Sequence, residues 1–440
     1  MDSMALLYVL LALSLVLLTA VPAFQYLRRE RRDIFEPVYM GTLVFFMMFW
    51  VRSLNILWTG SYLFGDPPFP GDTLRAWNLT WIYLILAAGV FYVAYYSSFG
   101  KGLANKLSPL PAGWNGRAAR RMVSLLFFGG LCAYYVLVSR YGGLGAFLTR
   151  RQTFEPTLGT GVGDVETLRY AIVLAALASF AIAMCAKKYL RIFFLLFVIA
   201  MVLGAAAGSR MDVLMPLISL LMMDHYLRKP KKLRHFIALG VMAALVISPF
   251  MIIFRDGMHP ADAMNSEAVL GRGGVPSFVE RLGAIEGLTV IIRDTPASMD
   301  YQYGMTLAYV FLAWVPRYLW EDKPPSFTQI FSALYLRDVF DPGTVGYAPT
   351  IFGEAYVNFH FPGILLFAMV GGWLVRVLYE HLIARKRTVS GIFIYSSTLP
   401  FLMLCLESHF AALLLPGFVF LLTWMVCRRV SEEPRPVPAR

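Results

Sequence analysis

Apolar residues fall in blocks of about twenty along this chain of 440 residues, and the links between blocks are short and basic. An α-helix needs about 20 residues to cross roughly 30 Å of hydrocarbon. The pattern predicts an all-α polytopic membrane protein with about eleven transmembrane helices. The spans fall at 4–24, 37–57, 77–96, 122–139, 168–186, 190–207, 212–227, 236–254, 355–379, 390–410 and 411–427. This divides the chain into a bundle of eight spans (1–254), a long outer loop (255–349), three further spans (350–427) and a tail (428–440). The tail is rich in Pro and Glu and reads as disordered.

The first block, Met4 to Phe24, is followed by Arg28, Arg29, Arg31 and Arg32 and preceded by Asp2. A signal peptide carries its basic residues ahead of the apolar run, so this block reads as a first span with its N-terminus outside. Alternation then puts 24 of the 39 Lys and Arg residues on the inner side, in short links where the positive-inside rule applies. The C-terminus falls inside. Within the outer loop, Leu307 to Trp320 is apolar and aromatic but too short to span, which suits an interfacial or re-entrant helix. No internal repeat of the kind that builds transporters is present.

Composition sharpens this picture. Only 15% of residues are charged and mean hydropathy is +0.62, whereas soluble domains carry roughly 25% charge. The net charge of +12 follows from the inner links, and no aromatic-interleaved basic patch or nucleic-acid motif occurs. Cys132, Cys185, Cys405 and Cys427 lie in or at the ends of spans without CxxC spacing, and read as small apolar residues. No two His stand at HxxxH spacing, so no metal site and no cofactor is expected. GxSxG, Walker A and GxGxxG motifs are absent as well.

The outer side holds thirteen Arg but only one Lys, while the inner 24 include eight Lys. Topology does not produce that bias. Guanidinium pairs bidentately with phosphate and carboxylate. Two readings stand: pairing with loop acids such as Asp256, Glu280, Glu286, Asp294 and Asp338, or an outer cavity for a pyrophosphate or other polyanion. For the set as a whole the second is favoured. Charges at the hydrocarbon edge mark the candidate site: Arg210 and Asp212 in a GSRMD turn, Arg255 and Asp256 after span eight, Pro316-Arg317 and Lys323-Pro324 around the aromatic segment, and Glu354 at the start of span nine. Glu354, Asp212 and His409 (beside Glu407) are the candidate general bases. Each has an equally ordinary reading as a structural partner.

The runs YGMTLAYVFLAWVPRYLWEDKPPSF (303–327) and GYAPTIFGEAYVNFHFPGILL (346–366), after the GSRMD turn, resemble the bacterial oligosaccharide repeat-unit polymerases, the O-antigen polymerase or Wzy-type family. The matching residues are Pro316-Arg317, Trp320 and Lys323-Pro324, then Gly353-Glu354, Tyr356, Asn358-Phe359 and Gly363-Ile364. The chain departs from the pattern at His360-Phe361-Pro362, where the family often carries glycine. The resemblance implies a GT-C-like, inverting, metal-independent glycosyltransferase in the bacterial inner membrane. Its long periplasmic loop would carry interfacial helices. It would move a growing chain from its polyprenyl pyrophosphate onto an incoming lipid-linked repeat unit, with the bilayer and a chain-length regulator as partners. Arg210, Arg255, Arg317 and Lys323 would then hold the pyrophosphate, and Trp314, Tyr318 and Trp320 would stack on sugars or anchor at the interface. A ligase with the same donor, a transporter of lipid-linked sugars and a membrane scaffold are the rival readings. The second motif favours a polymerase over a ligase.

Overall fold

The structure is a computed structural model. It describes residues 3–28, 33–60, 71–108, 110, 113–140, 142–145, 147, 169–186, 189–206, 210–242, 284–312, 315, 320, 322–335 and 349–431. In chain order its helices are α1 (Ser3–Arg28), α2 (Pro37–Thr59), α3 (Gly71–Tyr96), α4 (Ser98–Lys106), α5 (Gly116–Arg140), α6 (Ala171–Ala186), α7 (Leu190–Ala206), α8 (Arg210–Leu227) and α9 (Leu233–Met242). They continue with α10 (Ala284–Asp294), α11 (Met305–Leu312), α12 (Phe327–Tyr335), α13 (Thr350–Tyr379), α14 (Val389–Leu404) and α15 (Leu414–Val430). Among the described residues there is no strand, only an isolated bridge between Trp114 and Ser431.

Six helical stretches are long and apolar enough to cross a membrane: Ser3–Arg28, Pro37–Thr59, Asp72–Tyr96, Gly116–Ser139, Thr350–Ala384 and Phe410–Val430. Large apolar side chains such as Val16, Val93, Leu125 and Leu195 are exposed on them and on α7, as lipid contact requires. The fold is therefore that of a polytopic membrane protein. The count of eleven is not reached among the described residues. Spans five, six and ten appear as the shorter apolar helices α6, α7 and α14. Span seven, as α8, carries Arg210, Asp212 and Asp224, too many charges for a plain span. Only Leu233–Met242 of the span-eight region is described as a helix; residues 243–254 lie outside the described set.

Two further predictions change. The helix of 390–410 stops at Leu404, because Glu407, Ser408 and His409 interrupt the apolar run, and a 3₁₀ turn at Phe410–Leu413 leads into α15. The outer loop contains helices α10, α11 and α12. Of Leu307–Trp320 only the part up to Leu312 is seen as helix. The tail begins later than Arg428, since α15 runs to Val430 and the Val430 carbonyl accepts the Asn115 N–H at 2.6 Å. Residues 432–440 lie outside the described set.

The chain divides into two compact units. The first comprises Met1–Leu103, Ser266–Val377 and Leu402–Leu414. Pro37 opens α2 at a position where its missing N–H costs nothing. Gly60 closes it in the left-handed conformation, φ 69°. Helix α10 is buried from Ala284 to Ile292 against α3 and the π-helical turn Phe46–Val51 within α2. Its acid, Glu286, would be intolerable there alone. Arg52 meets it with two 2.9 Å bonds, Nε to Oε2 and Nη2 to Oε1, and both side chains are almost wholly buried. A second buried tie joins α2's approach, α3 and α13: Glu36 accepts the Tyr95 hydroxyl at 2.7 Å and pairs with Arg376 at 3.3 Å.

The second unit comprises Ala104–Asn265, Leu378–Phe401 and Leu415–Arg440. Ala-rich α6 is buried from Ala171 to Ala183, packed between α5 and α7. Small residues allow that close approach without a hydrophobic driving force. At Gly130 an added Cβ would lie 2.5 Å from Ile172 Cγ1, so α5 and α6 touch there through glycine.

Candidate functional site

The two sequence motifs meet in the first unit, and Asn358 is the joint between them. Its Oδ1 accepts the Gly304 N–H at 2.7 Å. Its Nδ2 donates to the Thr306 hydroxyl at 2.6 Å and to the Glu354 carbonyl at 2.8 Å. The Gln302 N–H adds a 2.9 Å bond to the Val357 carbonyl. That carbonyl is free because α13 breaks just beyond it, at Phe359 (φ −138°, ψ 18°) and His360 (φ 56°, ψ −158°). Pro362 has no N–H to offer the Asn358 carbonyl, which places the break here. The chain can resume as helix because residue 363 is glycine: a Cβ there would lie 2.3 Å from the Ala355 carbonyl oxygen.

Glu354 sits one turn before the break and is 1% exposed. Its Oε2 accepts the Phe410 N–H at 2.6 Å, with the Thr306 hydroxyl also bonded to the carboxyl group. The Phe410 N–H is one of the donors a helix start leaves unpaired, so Glu354 serves as a remote cap that fixes the link 405–409. Gly353 beside it admits α10, since a Cβ would lie 2.8 Å from Ile291 Cδ1. The pair Gly353-Glu354 thus has a packing reason and a positioning reason.

The link 405–409 carries two titratable groups. Burial holds the His409 imidazole well below its usual range, at about 4, so it is neutral at pH 7. Burial pushes the Glu407 carboxyl up to about 7, and among the described residues no side chain pairs with it. The Glu407 backbone N–H donates to the Leu404 carbonyl at 3.1 Å. A carboxyl poised near neutral pH suits proton transfer. Its signal in the sequence is an acid inside a long apolar run, two residues before His409.

Lys323 is buried at 4% exposure. Its ammonium donates to the Val315 carbonyl at 2.8 Å and stands 5.0 Å from the Tyr309 ring centroid on α11. Because α11 packs on Phe410–Leu413, Lys323, Glu354 and His409 belong to one local assembly. An apolar cavity of about 170 Å³ opens in the same unit, lined by Leu18, Phe45, Phe91, Phe352, Cys405 and Leu413 among others. Phe352 and Cys405 are each two residues from a carboxylate of the site.

Asp212 belongs to the second unit. Its carboxylate pairs with Arg169 at 2.8 Å and accepts the Tyr170 hydroxyl. It is 3% exposed. Arg210 is the first residue of α8, and its side chain lies outside the described set. Arg255, Arg317, Trp314 and Tyr318 also lie outside it, while Trp320 is 38% exposed. Of the outer arginines that are described, Arg52, Arg169, Arg293 and Arg75 pair with Glu286, Asp212, Asp294 and Asp72. For these four the pairing reading holds. The side chains of the other outer arginines, Arg210, Arg255 and Arg317 among them, lie outside the described set. Among the described residues no group of three or more His, Cys, Asp and Glu side chains converges as metal ligands do.

A protein family described as a domain of unknown function (DUF8712) matches residues 164–386, just over half of the chain and both motifs. No curated protein and no solved structure matches it. The chain belongs to that family.

Proposed function

We propose that this family member is an inverting, metal-independent glycosyltransferase that polymerises polyprenyl-pyrophosphate-linked oligosaccharide repeat units at the periplasmic face of a bacterial inner membrane. The N-terminus would be periplasmic and the C-terminus cytoplasmic, following the basic links. One observation carries the reading: the two motifs of the polymerase resemblance fold onto each other through Asn358, around the buried Glu354 and beside the titratable link 405–409.

In the reaction, an acceptor hydroxyl oxygen attacks the anomeric carbon of the donor sugar. The bond from that carbon to the pyrophosphate breaks, and polyprenyl pyrophosphate leaves with the electron pair. Glu407 takes the hydroxyl proton. Glu354, almost wholly buried and bonded to the Phe410 N–H and the Thr306 hydroxyl, holds the link in place. On the resemblance, Arg210, Arg255, Arg317 and Lys323 would carry the charge that builds on the leaving group. The apolar cavity beside Phe352 and Cys405 takes part of the isoprenoid chain.

Deletion of the gene in the producing bacterium tests this. Loss of the polymer ladder, with single lipid-linked repeat units still reaching the outer face, is the expected result. Polymer retained on its lipid carrier would favour a ligase. Repeat units held on the cytoplasmic side would favour transport.

A further inference from the structure

Two residues near the break in α13 hold backbone conformations that side chains avoid. Tyr303 has φ 44° and His360 has φ 56° with ψ −158°, a region that is almost the preserve of glycine. Such strain persists only where the surroundings enforce it. Here they do. Asn358 clamps the Gly304 N–H immediately after Tyr303, and Pro362 with Gly363 fixes the turn after His360.

The strained backbone presents rings. Tyr301 lies between them, with its centroid 6.1 Å from Tyr303, 5.8 Å from His360 and 6.4 Å from Tyr356. The Tyr356 hydroxyl and His360 Nε2 are 3.3 Å apart. Tyr303 is 80% exposed and His360 is exposed too. Exposure alone would fit a lipid-facing aromatic. The neighbouring chain argues against that, since Pro296, Ala297, Ser298 and Asp300 are also exposed and this segment is polar. Tyr303 follows this polar stretch, and its exposed ring is open to a partner.

We infer that Tyr301, Tyr303 and His360 form a saccharide platform, on which a pyranose ring of the substrate lies against the tyrosine faces. The apolar C–H face of a sugar matches a ring, and its hydroxyls match the Tyr hydroxyls and the His360 imidazole. The strain holds Tyr303 and His360 outward before the sugar arrives, so binding does not have to order them. The inference rests on the glycosyltransferase reading for its substrate class, but the two fail separately.

The test uses the full-length protein in lipid nanodiscs and saturation-transfer NMR with the methyl glycosides of glucose, galactose, rhamnose and N-acetylglucosamine. At least one glycoside should take up saturation at its ring protons above the empty-nanodisc level. Tyr303→Ala should abolish that signal without lowering the thermal midpoint, and Tyr303→Phe should keep it. His360→Gly relieves the strained backbone, so it should raise the thermal midpoint while weakening the glycoside roughly tenfold. No saturation for any glycoside, or an unchanged signal in Tyr303→Ala, overturns the platform. The polymer ladder is read independently. A glycoside bound at Tyr303 in a protein whose deletion spares the ladder would sink the polymerase and leave the platform standing.

Discussion

Replacing Glu286 by Gln keeps the shape of the side chain and removes only its charge. Arg52, 2% exposed, is then left buried with an uncompensated guanidinium. The wild-type pair has two 2.9 Å bonds, and Arg52 Nη1 also donates to Asn55 at 2.5 Å. Breaking one side of a buried pair costs about 3–5 kcal/mol. The retained Asn55 bond and the Gln carbonyl put this case near the lower end, about 3 kcal/mol. Against a total stability of roughly 5–15 kcal/mol that is a severe loss. Thermal unfolding in detergent micelles should show the midpoint falling by roughly 10 °C, at about 2–4 °C per kcal/mol for a unit of this size. The double variant Arg52→Met with Glu286→Leu removes both desolvation costs and should recover most of the loss. A Glu286→Gln protein within about 0.5 kcal/mol of wild type, or a double variant as unstable as the sum of the singles, would refute the reasoning.

The glycines of the second motif should rank by what they touch. Gly363→Ala drives a methyl into the Ala355 carbonyl and should prevent folding, whereas Gly353→Ala meets only the movable tip of Ile291 and should cost about 1–3 kcal/mol, both read by detergent-resistant yield and thermal midpoint. Asn358→Ala strands the Gly304 N–H and should cost about 3 kcal/mol, with Tyr303 losing its fixed position, seen as faster proteolysis between residues 300 and 304. Polymerising activity should rise with pH through about 7 as Glu407 ionises, and Glu407→Gln should remove that limb and lower the rate about 10²–10⁴-fold. Stability should move the other way. Between pH 4.5 and about 7 the folded protein keeps a proton on Glu407 that the unfolded chain has released, so stability falls as pH rises across that window.

Apolar blocks make spans legible, because hydrocarbon length sets block length. Helices α1, α2, α3, α5, α13 and α15 lie where the pattern puts them, with ends shifted by a few residues. Partners remote in sequence are not legible. Nothing near Ala284–Asp294 announces that its acid will be neutralised by Arg52, 234 residues away, so a buried helix reads as part of an outer loop. The stop at Leu404 was signalled by Glu407, Ser408 and His409, and the break in α13 by Pro362. Asn358 was visible as a motif residue, but its role as the joint between the two motifs needed coordinates. The arginine bias overstated its case wherever an acid stood within reach, as Asp212 does for Arg169.

The most direct measurement places the purified protein in liposomes with lipid-pyrophosphate-linked repeat units from the producing bacterium, and follows product length together with released polyprenyl pyrophosphate. A polymerase should give a ladder with one polyprenyl pyrophosphate released per bond formed, lost in Glu407→Gln with no fall in the thermal midpoint. Full turnover in Glu407→Gln would move the proton to another group. No elongation by the wild-type protein, with the lipid-linked units intact, would contradict the polymerase itself.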